Sequence, residues 1–468
     1  MNGKSFEMIP REVPKIHTKY RTIATQIPVP ESMPIIEDLR KYETVSMSGQ
    51  PLVVWDHAEG ANVYDPYGNK WIDFSSGVMI ANVGHGNPEV CAAVRKVVDK
   101  PLMATYLFPS AERAAAAKAI CSISPIPNSK CFMLSAGTEA VECALKLART
   151  YGHKVGGKKK NVVVTYNGAF HGRTLGSQLL GGMPSLKEWI VKPDEDIVLA
   201  DFPNGYLFDW ANPNSPDFDE DRMFQSLLDA IDKAGVKYEN IAGILTESYQ
   251  GIYCHMIPKG YAKRLRAFCD KYDIVLFMDE IQTGFCRTGK MFAFEHYDIL
   301  PDIFTCAKGI SGSLPMSAVV GRADIMDLYA PNTMTSTHSG SPLAAAATAA
   351  SIKYMVEHNL ADEAMRKGKI MGAFLEKLKA EFPNRIGYVG GEGMARACTF
   401  VKNGTKEGDP EFAFAVTQRC IEKGLLFFAA VGAGITMKLV PPLVIPDDML
   451  QEGLDTYREA VAECDAEL

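Results

Sequence analysis

The sequence has no excess of basic residues and no closely paired cysteines, and both absences exclude classes of protein. Lysine and arginine total 49 against 56 aspartates and glutamates, which gives a formal charge of −7. A nucleic-acid-binding protein would carry a basic footprint instead. The eleven cysteines include no CxxC pair, so neither a zinc ribbon nor a redox pair is indicated, and we expect no metal site.

Long apolar runs are missing as well. The longest uncharged stretch, residues 328–352, contains Pro331 and Pro342 and cannot supply the roughly 20 apolar residues of a membrane span. The opening residues 1–21 lack an apolar core of signal-peptide length. We therefore expect no membrane partner, no nucleic-acid partner and a cytoplasmic location with reduced thiols.

What is present is ordinary globular composition, with 47% hydrophobic and 22% charged residues. The 468 residues allow about three units, or one large and one small lobe, at roughly 150 residues per domain. We predict an N-terminal arm with part of a small domain over 1–80, a large domain over 81–330 and a C-terminal small domain over 331–468.

From about residue 130, short apolar runs alternate with amphipathic stretches. Runs without in–out alternation suit strands that are covered on both faces, as in a parallel α/β sheet. The candidate strands are KCFMLS, NVVVTY, IAGILTES, IVLFMDE, IFTCAK and MSAVVG. We predict helices over 139–149 and across 343–382, and a hairpin from 52–57 and 62–75 that turns at 65–68.

Ligands of open α/β sheets bind at the carboxyl ends of the strands. The candidate strands end at Ser135–Thr138, Glu247, Asp279, Glu280 and Lys308. One interpretation is that these charges simply reach solvent. The other is chemical, because a lysine can form a Schiff base and an aspartate can keep the ring nitrogen of pyridoxal phosphate protonated.

The surrounding motifs favour the second interpretation. In order, they are SAGTEA, YNGAFHGRT, TESYQG, MDEIQTGFCRTG, CAKGISGSLP and STHSGSPLAAAA. With this spacing, roughly residues 50–460 resemble the class III pyridoxal-phosphate aminotransferases of fold type I. The resemblance implies an α/β fold in which a large, mostly parallel sheet domain binds the cofactor, with a smaller α+β domain beside it.

The resemblance also implies roles for residues of the cofactor site. Lys308 matches the Schiff-base lysine, Asp279 the partner of the pyridine nitrogen, and Gln282 a neighbour of the ring's phenolic oxygen. Gly137 and Thr138 match the phosphate cup at a helix N-terminus, although an ordinary helix cap would look the same.

Three further positions complete this set. Phe170 matches the aromatic residue that stacks on the ring, whereas His171 beside it is given no catalytic role, since a structural role would explain it equally well. Glu247 matches an acid close to the ring. Thr337 matches a threonine that reaches the phosphate of the neighbouring subunit, which implies a homodimer with shared active sites.

For the substrate, Arg173 matches a residue that binds a carboxylate in several relatives, since a guanidinium offers paired donors; a more remote supporting role is the alternative. Two positions depart from the family pattern. Lys438 stands where an α-carboxylate-binding arginine is usual, and Ile252 where the 4-aminobutyrate enzymes have a glutamate. Arg396 either compensates for the missing arginine or lies at a dimer interface, and the second is preferred.

The resemblance thus implies a transaminase that moves the amino group of an ω-amino acid or similar amine (4-aminobutyrate, β-alanine or taurine type) to 2-oxoglutarate or pyruvate. A related enzyme that racemises, epimerises or decarboxylates α-amino acids is the first alternative. An inactive relative that serves as a scaffold is the second, and the intact Lys308, Asp279 and Gln282 argue against it.

Overall fold

The computed structural model describes residues 5–468, which form two compact units. One unit consists of the chain up to Asn87 together with Glu363–Leu468, and the other of Pro88–Asp362. Residues 331–362 therefore group with the unit that begins at Pro88, while the three domains predicted from the sequence stay a prediction.

Residues 5–468 form thirteen α-helices and eighteen strands. The helices are α1 (Met33–Tyr42), α2 (Ser76–Met79), α3 (Pro88–Asp99), α4 (Ala111–Ser122), α5 (Gly137–Gly156), α6 (Leu175–Leu180), α7 (Glu220–Lys233), α8 (Lys259–Tyr272), α9 (Ala323–Met326), α10 (Pro342–Glu357), α11 (Leu360–Glu381), α12 (Pro410–Glu422) and α13 (Asp447–Glu467). The strands are β1 (Ile16–His17), β2 (Thr22–Ile23), β3 (His57–Glu59), β4 (Asn62–Tyr64), β5 (Lys70–Asp73), β6 (Lys130–Leu134), β7 (Val162–Tyr166), β8 (Ile197–Ala200), β9 (Ile241–Glu247), β10 (Tyr249–Gln250), β11 (His255–Met256), β12 (Val275–Asp279), β13 (Ile303–Cys306), β14 (Ser317–Gly321), β15 (Ile386–Glu392), β16 (Ala395–Phe400), β17 (Leu425–Leu426) and β18 (Thr436–Leu439). Among the described residues, none of the helices has the length and apolar character needed to cross a membrane.

The unit Pro88–Asp362 is built on a seven-stranded sheet in the order β6-β14-β13-β12-β9-β7-β8. Strand β14 runs antiparallel to both of its neighbours, and the other pairs are parallel. Strands β7, β9, β12 and β13 consist of buried residues throughout, as expected for strands covered on both faces. Helix α5 packs its apolar face, including Ala144 and Leu147, into the core that these strands share.

The other unit carries two smaller sheets. In the first, β17 pairs with β5 beside the path β1-β2-β5-β4-β3, and in the second the order is β15-β16-β18. The N-terminal arm takes part in this unit, since β2 pairs with β5. Its apolar side chains share a core with Trp71 and Ile421, namely Phe6, Val13, Ile23, Ile27 and Val29.

Two local predictions are wrong in detail. Residues 52–56 form no strand; the predicted turn at 65–68 instead joins β4 to β5, which pair with each other. The helical region 343–382 is divided into α10 and α11, because Asn359 between them adopts a left-handed backbone with φ of 50°, which an α-helix cannot continue through.

Candidate active site

The strand ends singled out by the sequence meet at one edge of the seven-stranded sheet. In the parallel register, Asp279 on β12 lies beside Glu247 on β9 and beside Thr305 on β13. Neighbouring strands are about 4.8 Å apart, so both acids lie side by side, and Lys308 follows Thr305 by three residues. The structure therefore brings Glu247, Asp279 and the start of the Lys308 turn together.

Lys308 opens a 3₁₀ turn that ends at Ile310, directly after β13. Its backbone φ is 49°, in the left-handed region that a non-glycine residue adopts only at a cost of about 1–3 kcal/mol. Such strain persists where the surrounding structure enforces it, and it is concentrated at functional sites. The lysine is thus held in an unfavourable conformation at the edge where the acids lie.

Asp279 is only 5% exposed and carries two hydrogen bonds from the protein. Its Oδ1 accepts from the backbone N–H of Ile281 at 2.9 Å, and its Oδ2 lies 2.8 Å from Nδ1 of His171. No lysine or arginine of the described chain forms an ion pair with it. Because a carboxylate offers about four acceptor positions, this buried acid retains the capacity to accept from a cationic N–H group.

Glu280, the next residue, differs from Asp279 in the number of hydrogen-bond donors that its carboxylate receives. It is fully buried, and its carboxylate accepts from the Thr283 hydroxyl at 2.6 Å, from the N–H groups of Ala293 and Phe294 at 2.9 and 3.0 Å, and from the Ser248 hydroxyl. Burial raises the pKa of Glu280 to about 7. This acid has its hydrogen-bonding positions filled, and it ties the end of β9 to the loop after β12.

The second strand-end acid is held by backbone donors. Glu247 accepts from the N–H of Gly251 at 2.9 Å and, more weakly, from that of Phe170 at 3.4 Å. A Cβ added at Gly251 would lie 2.8 Å from the Glu247 carboxylate and 2.8 Å from the Gln282 amide. A side chain at residue 251 would therefore have to displace the ends of these two side chains, and the glycine lets both of them lie against its backbone.

The N-terminus of α5 points its first N–H groups out of the helix at the same edge. Glu139 caps the two preceding amides, those of Ser135 and Ala136, at 2.8 and 3.0 Å. The amides of Gly137 and Thr138 belong to the first turn, where a helix supplies no acceptor of its own. Such a terminus is a ready anion site.

Gly137 also lies against the loop that follows Asp279. A Cβ at this position would lie 2.9 Å from Cδ1 of Ile281, the residue whose N–H binds Asp279. The Thr138 hydroxyl, in contrast, is already engaged by the hydroxyls of Thr174 and Ser177, both at 2.7 Å. Thr138 therefore has its backbone N–H, rather than its hydroxyl, to offer to an anion.

Phe170 and Arg173 lie on the loop after β7. Phe170 is half-buried and Arg173 is exposed, and the guanidinium carbon lies 5.6 Å from the centre of the Phe170 ring. This contact is within the range of a cation–π interaction. Thr337 is exposed in the segment before α10, where it is accessible to a second molecule.

The residues that depart from the family pattern are placed as follows. Ile252 is 8% exposed and Lys438, on β18, is 3% exposed, so Lys438 is not a solvated surface charge. Arg396 binds the carbonyls of Gly391 and Gly393 in its own hairpin, at 2.6 and 3.1 Å. Lys438 and Arg396 belong to the unit that contains both termini, whereas the other site residues belong to Pro88–Asp362.

Comparison with known protein families identifies the kind of protein that contains this arrangement of residues. The family model described as aminotransferase class III matches residues 44–461. The chain belongs to the class III aminotransferase family. It is therefore a pyridoxal-phosphate-dependent transaminase, as the motifs predicted.

This chain is similar to proteins that are named for several different activities. It is 34% identical to a probable 4-aminobutyrate aminotransferase of Bacillus subtilis over 85% of this chain and 90% of that protein. It is 33% identical to an acetylornithine aminotransferase of Methanopyrus kandleri over 91% and 98%. A leucine/methionine racemase of Thermococcus litoralis is 31% identical over 87% and 90%.

Solved structures confirm the predicted fold. Two structures of the ornithine aminotransferase of Toxoplasma gondii, 26% identical, match with TM-scores of 0.81 and 0.80. They cover 93% and 92% of this chain and 96% and 95% of their own. One of them is described with partial occupancy of pyridoxal phosphate at its active site. The transaminase thus has fold type I, with a mixed, mostly parallel sheet.

The residues at the sheet edge fit this cofactor chemically. The cofactor is a dianionic phosphate joined to a ring that is cationic at its nitrogen, and it supplies an electron sink for amino-group chemistry. The α5 N-terminus, at Gly137 and Thr138, suits the phosphate. Asp279 suits the ring nitrogen because it is buried and still able to accept a hydrogen bond.

Two residues of this edge were missed from the sequence. His171 was left out of the catalytic residues, yet it contacts Asp279 directly. Glu280 was noted as a strand-end acid without a role, although four donors converge on it. His171 lies in the GAFHGRT motif and Glu280 in the DEIQT motif. Only the three-dimensional contacts distinguish these two residues from their neighbours in the motifs. Among residues 5–468, no cluster of three or more His, Cys, Asp or Glu side chains is arranged to hold a metal.

Proposed function

We propose that this aminotransferase moves the amino group of an ω-amino acid or a similar amine, of the 4-aminobutyrate, β-alanine or taurine type, to 2-oxoglutarate or pyruvate. The observation that carries the proposal is the exposed Arg173 guanidinium beside Phe170. A guanidinium on that loop suits a carboxylate or sulfonate at the far end of the donor. The Bacillus subtilis relative, a probable 4-aminobutyrate aminotransferase, supports the same donor class.

In this proposal the sheet-edge residues bind and orient the cofactor. Lys308 provides the amine that holds the cofactor covalently and, once free, carries the proton between donor and cofactor. Asp279 keeps the ring nitrogen protonated, Gln282 lies near the phenolic oxygen, and Glu247 lies beside the ring. Phe170 stacks on the ring and excludes water from one side.

The phosphate is held by main-chain groups of Gly137 and Thr138. We infer that Thr337 of a second copy completes this site, so that the enzyme works as a homodimer. The exposure of Thr337 supports this inference. We also infer a cytoplasmic location, because all eleven cysteines are free thiols, as is usual in a reducing compartment.

The two substrates are assigned to different cations. Arg173 holds the acid group of the donor, and Lys438 holds one carboxylate of the acceptor. The assignment of Lys438 rests on its sequence position and on its burial. At 4 Å and an effective dielectric of 20, two charges attract by about 4 kcal/mol, so a lysine can bind a carboxylate, although without the bidentate geometry of arginine.

Steady-state kinetics with both substrates varied tests the assignment. The donor panel contains 4-aminobutyrate, β-alanine, taurine, ornithine and acetylornithine, with 2-oxoglutarate or pyruvate as acceptor. Arg173→Ala should raise the donor KM more than the acceptor KM, and Lys438→Ala should do the reverse. Lys438→Arg need not restore binding, because a guanidinium is bulkier than an ammonium and offers its donors in a different, fixed geometry.

Two results would contradict the proposal. If the panel showed the highest kcat/KM for an α-amino donor, the ω-amino class would be wrong. If Lys438→Ala left the acceptor KM unchanged, the acceptor would be bound elsewhere. Lys146, exposed on α5, provides a charge-matched control for Lys438.

A second candidate function is racemisation of α-amino acids, which the 31% identity to a leucine/methionine racemase favours. The two functions differ in their products. A transaminase incubated with a donor alone releases one equivalent of keto product and keeps the amino group on the cofactor. A racemase inverts the donor without releasing a keto product, which chiral chromatography detects.

A further inference from the structure

His171 joins two strands that are not neighbours. It follows β7 by five residues, whereas Asp279 ends β12, and β9 lies between these strands. The strands β7 and β12 are thus two strand spacings, or about 10 Å, apart. The hydrogen bond between Nδ1 of His171 and Oδ2 of Asp279, at 2.8 Å, connects residues that follow or end these two strands. Its imidazole is 2% exposed, so the contact is fully enclosed in protein.

The direction of this hydrogen bond is fixed by chemistry. An ionised aspartate can only accept, so Nδ1 of His171 carries the hydrogen and donates it. Together with the N–H of Ile281, which reaches the other oxygen at 2.9 Å, it restrains the carboxylate from both sides. The orientation of Asp279 therefore depends on one backbone donor and one side-chain donor.

The imidazole is not needed to hold its own loop. The loop after β7 is closed by main-chain bonds from Gly168 to Gly182 at 3.0 Å and from Gly182 to Ala169 at 2.8 Å. The other ring nitrogen of His171 has no hydrogen-bond partner within residues 5–468. Asp279 is thus the polar contact that accounts for a buried histidine at this position.

We infer that His171 is a positioning residue of the cofactor site, which keeps the Asp279 carboxylate oriented toward the ring nitrogen of pyridoxal phosphate. The inference rests on the proposed role of Asp279. Hydrogen bonds to charged groups contribute enough that the loss of this one should weaken cofactor binding about tenfold to a hundredfold. The weakening should depend on the ring nitrogen, because His171 acts only through Asp279.

Three variants separate the two ring nitrogens. In His171→Asn the amide nitrogen can occupy the place of Nδ1 and keep the donor. In His171→Gln the amide lies near the place of Nε2, so the donor to Asp279 is lost. His171→Leu removes both polar groups at similar volume. Asp279→Asn serves as the reference for the proposed role of the aspartate.

The measurement is the dissociation constant of the full-length enzyme for two ligands, pyridoxal phosphate and its 1-deaza analogue, in which a C–H group replaces the ring nitrogen. We expect His171→Leu and His171→Gln to lose about tenfold to a hundredfold in affinity for pyridoxal phosphate. Their affinity for the analogue should not fall. His171→Asn should bind both ligands like the wild type.

Several outcomes would overturn the inference. Equal losses for both ligands would mean that His171 only supports the fold, and unchanged binding in all variants would mean that it has no role. Rescue by glutamine rather than asparagine would assign the role to Nε2. If Asp279→Asn showed no loss that depends on the ring nitrogen, the proposed role of Asp279 itself would fail, which the other outcomes do not imply.

A spectroscopic readout keeps the test decisive if the leucine variant does not fold. In the wild-type enzyme, ¹⁵N-resolved NMR of labelled histidine should show a proton on Nδ1 of His171 that exchanges slowly with water and shifts in Asp279→Asn. A ring that carries its proton on Nε2 alone would contradict the inference.

Discussion

The two edges of the seven-stranded sheet both collect charged residues, but they use them differently. At the amino edge, Asp302 precedes β13 and accepts from Arg266 at 2.8 Å, from Arg322 at 2.7 Å and from the N–H of Leu276 at 2.8 Å. Arg322 also binds Asp324 at 2.7 Å. At the carboxyl edge, Asp279 forms no ion pair with a lysine or arginine of residues 5–468, and its carboxylate accepts from the Ile281 N–H and from His171.

The difference in partners distinguishes charged residues that stabilise the fold from a charged residue that is available to a ligand. At the amino edge, opposite charges satisfy one another and connect α8, β13 and the end of β14. At the carboxyl edge, the buried Asp279 accepts only from one backbone N–H and one histidine, and it retains acceptor positions. A buried charge that is incompletely paired is costly, and a binding site is where such a cost is recovered when a ligand arrives.

The largest expected effect is on the lysine of the carboxyl edge. Lys308→Ala should lower turnover more than about 10⁴-fold, beyond what loss of a general acid–base group alone causes. The cofactor should still bind through its phosphate but without covalent attachment. Borohydride reduction followed by intact mass measurement should add the cofactor to the wild type and to Lys146→Ala, and not to Lys308→Ala. Wild-type turnover in Lys308→Ala would refute the role of the lysine.

Asp279→Asn should have the next largest effect, because an amide cannot hold the ring nitrogen protonated. By comparison with the loss of other preorganised charges, about 3–4 kcal/mol of transition-state stabilisation should disappear, or at least about a hundredfold in kcat. The folded protein should remain as stable as the wild type, unlike a variant of the amino edge. A decrease of less than about tenfold with cofactor bound would exclude the role.

Glu280 lies at the same edge but should affect stability through pH. Burial raises its pKa from 4.5 to about 7, so between these values the folded chain holds a proton that the unfolded chain has lost. Its contribution to stability is therefore present at low pH and falls as the pH rises through this window, by about 3 kcal/mol in total.

Urea unfolding from about pH 4.5 to about pH 8, which spans this window, tests the expectation. As the pH rises through this window, the wild type should lose about 3 kcal/mol of unfolding free energy relative to Glu280→Gln. Glu376→Gln, on the exposed side of α11, should show no such trend. A difference that stays constant with pH would show that the Glu280 carboxyl titrates normally.

The smallest effect is expected at the amino edge, and on stability alone. Asp302→Asn should lower the free energy of unfolding by about 2 kcal/mol, less than the 3–5 kcal/mol of a fully buried pair, because the Arg322 side chain is 40% exposed. The kcat of the folded enzyme should not change. A fall in kcat without loss of stability would remove the distinction between the edges.

Much of the sheet and its candidate site was predictable because the signals are local. Uninterrupted apolar runs predicted six strands of the main sheet, and their order along the chain placed Glu247, Asp279 and Lys308 after strands. The short strand β8 was not predicted, since Ile197–Ala200 alternates in burial and is too short to form a clear pattern. The break between α10 and α11 was missed because the sequence around Asn359 contains no proline or glycine.

The relations across strands were not predictable in the same way. His171 and Asp279 are 108 residues apart in sequence, and no local pattern links a histidine after one strand to an aspartate after another. The four donors to Glu280 come from Ser248, Thr283 and the start of a turn at Ala293, again separated along the chain. Such contacts follow from the register of the sheet, which a single sequence does not specify.

The contact between Gly137 and Ile281 has a consequence for how this enzyme can change. Gly137 begins the helix proposed to bind phosphate, and a Cβ there would meet the Ile281 side chain at 2.9 Å, next to the amide that holds Asp279. A larger residue at 137 would therefore have to move the end of the Ile281 side chain. We therefore expect residues 137 and 281 to vary together, with a smaller side chain at 281 making room for a larger one at 137, so that a change at the proposed phosphate end is matched by a change beside Asp279.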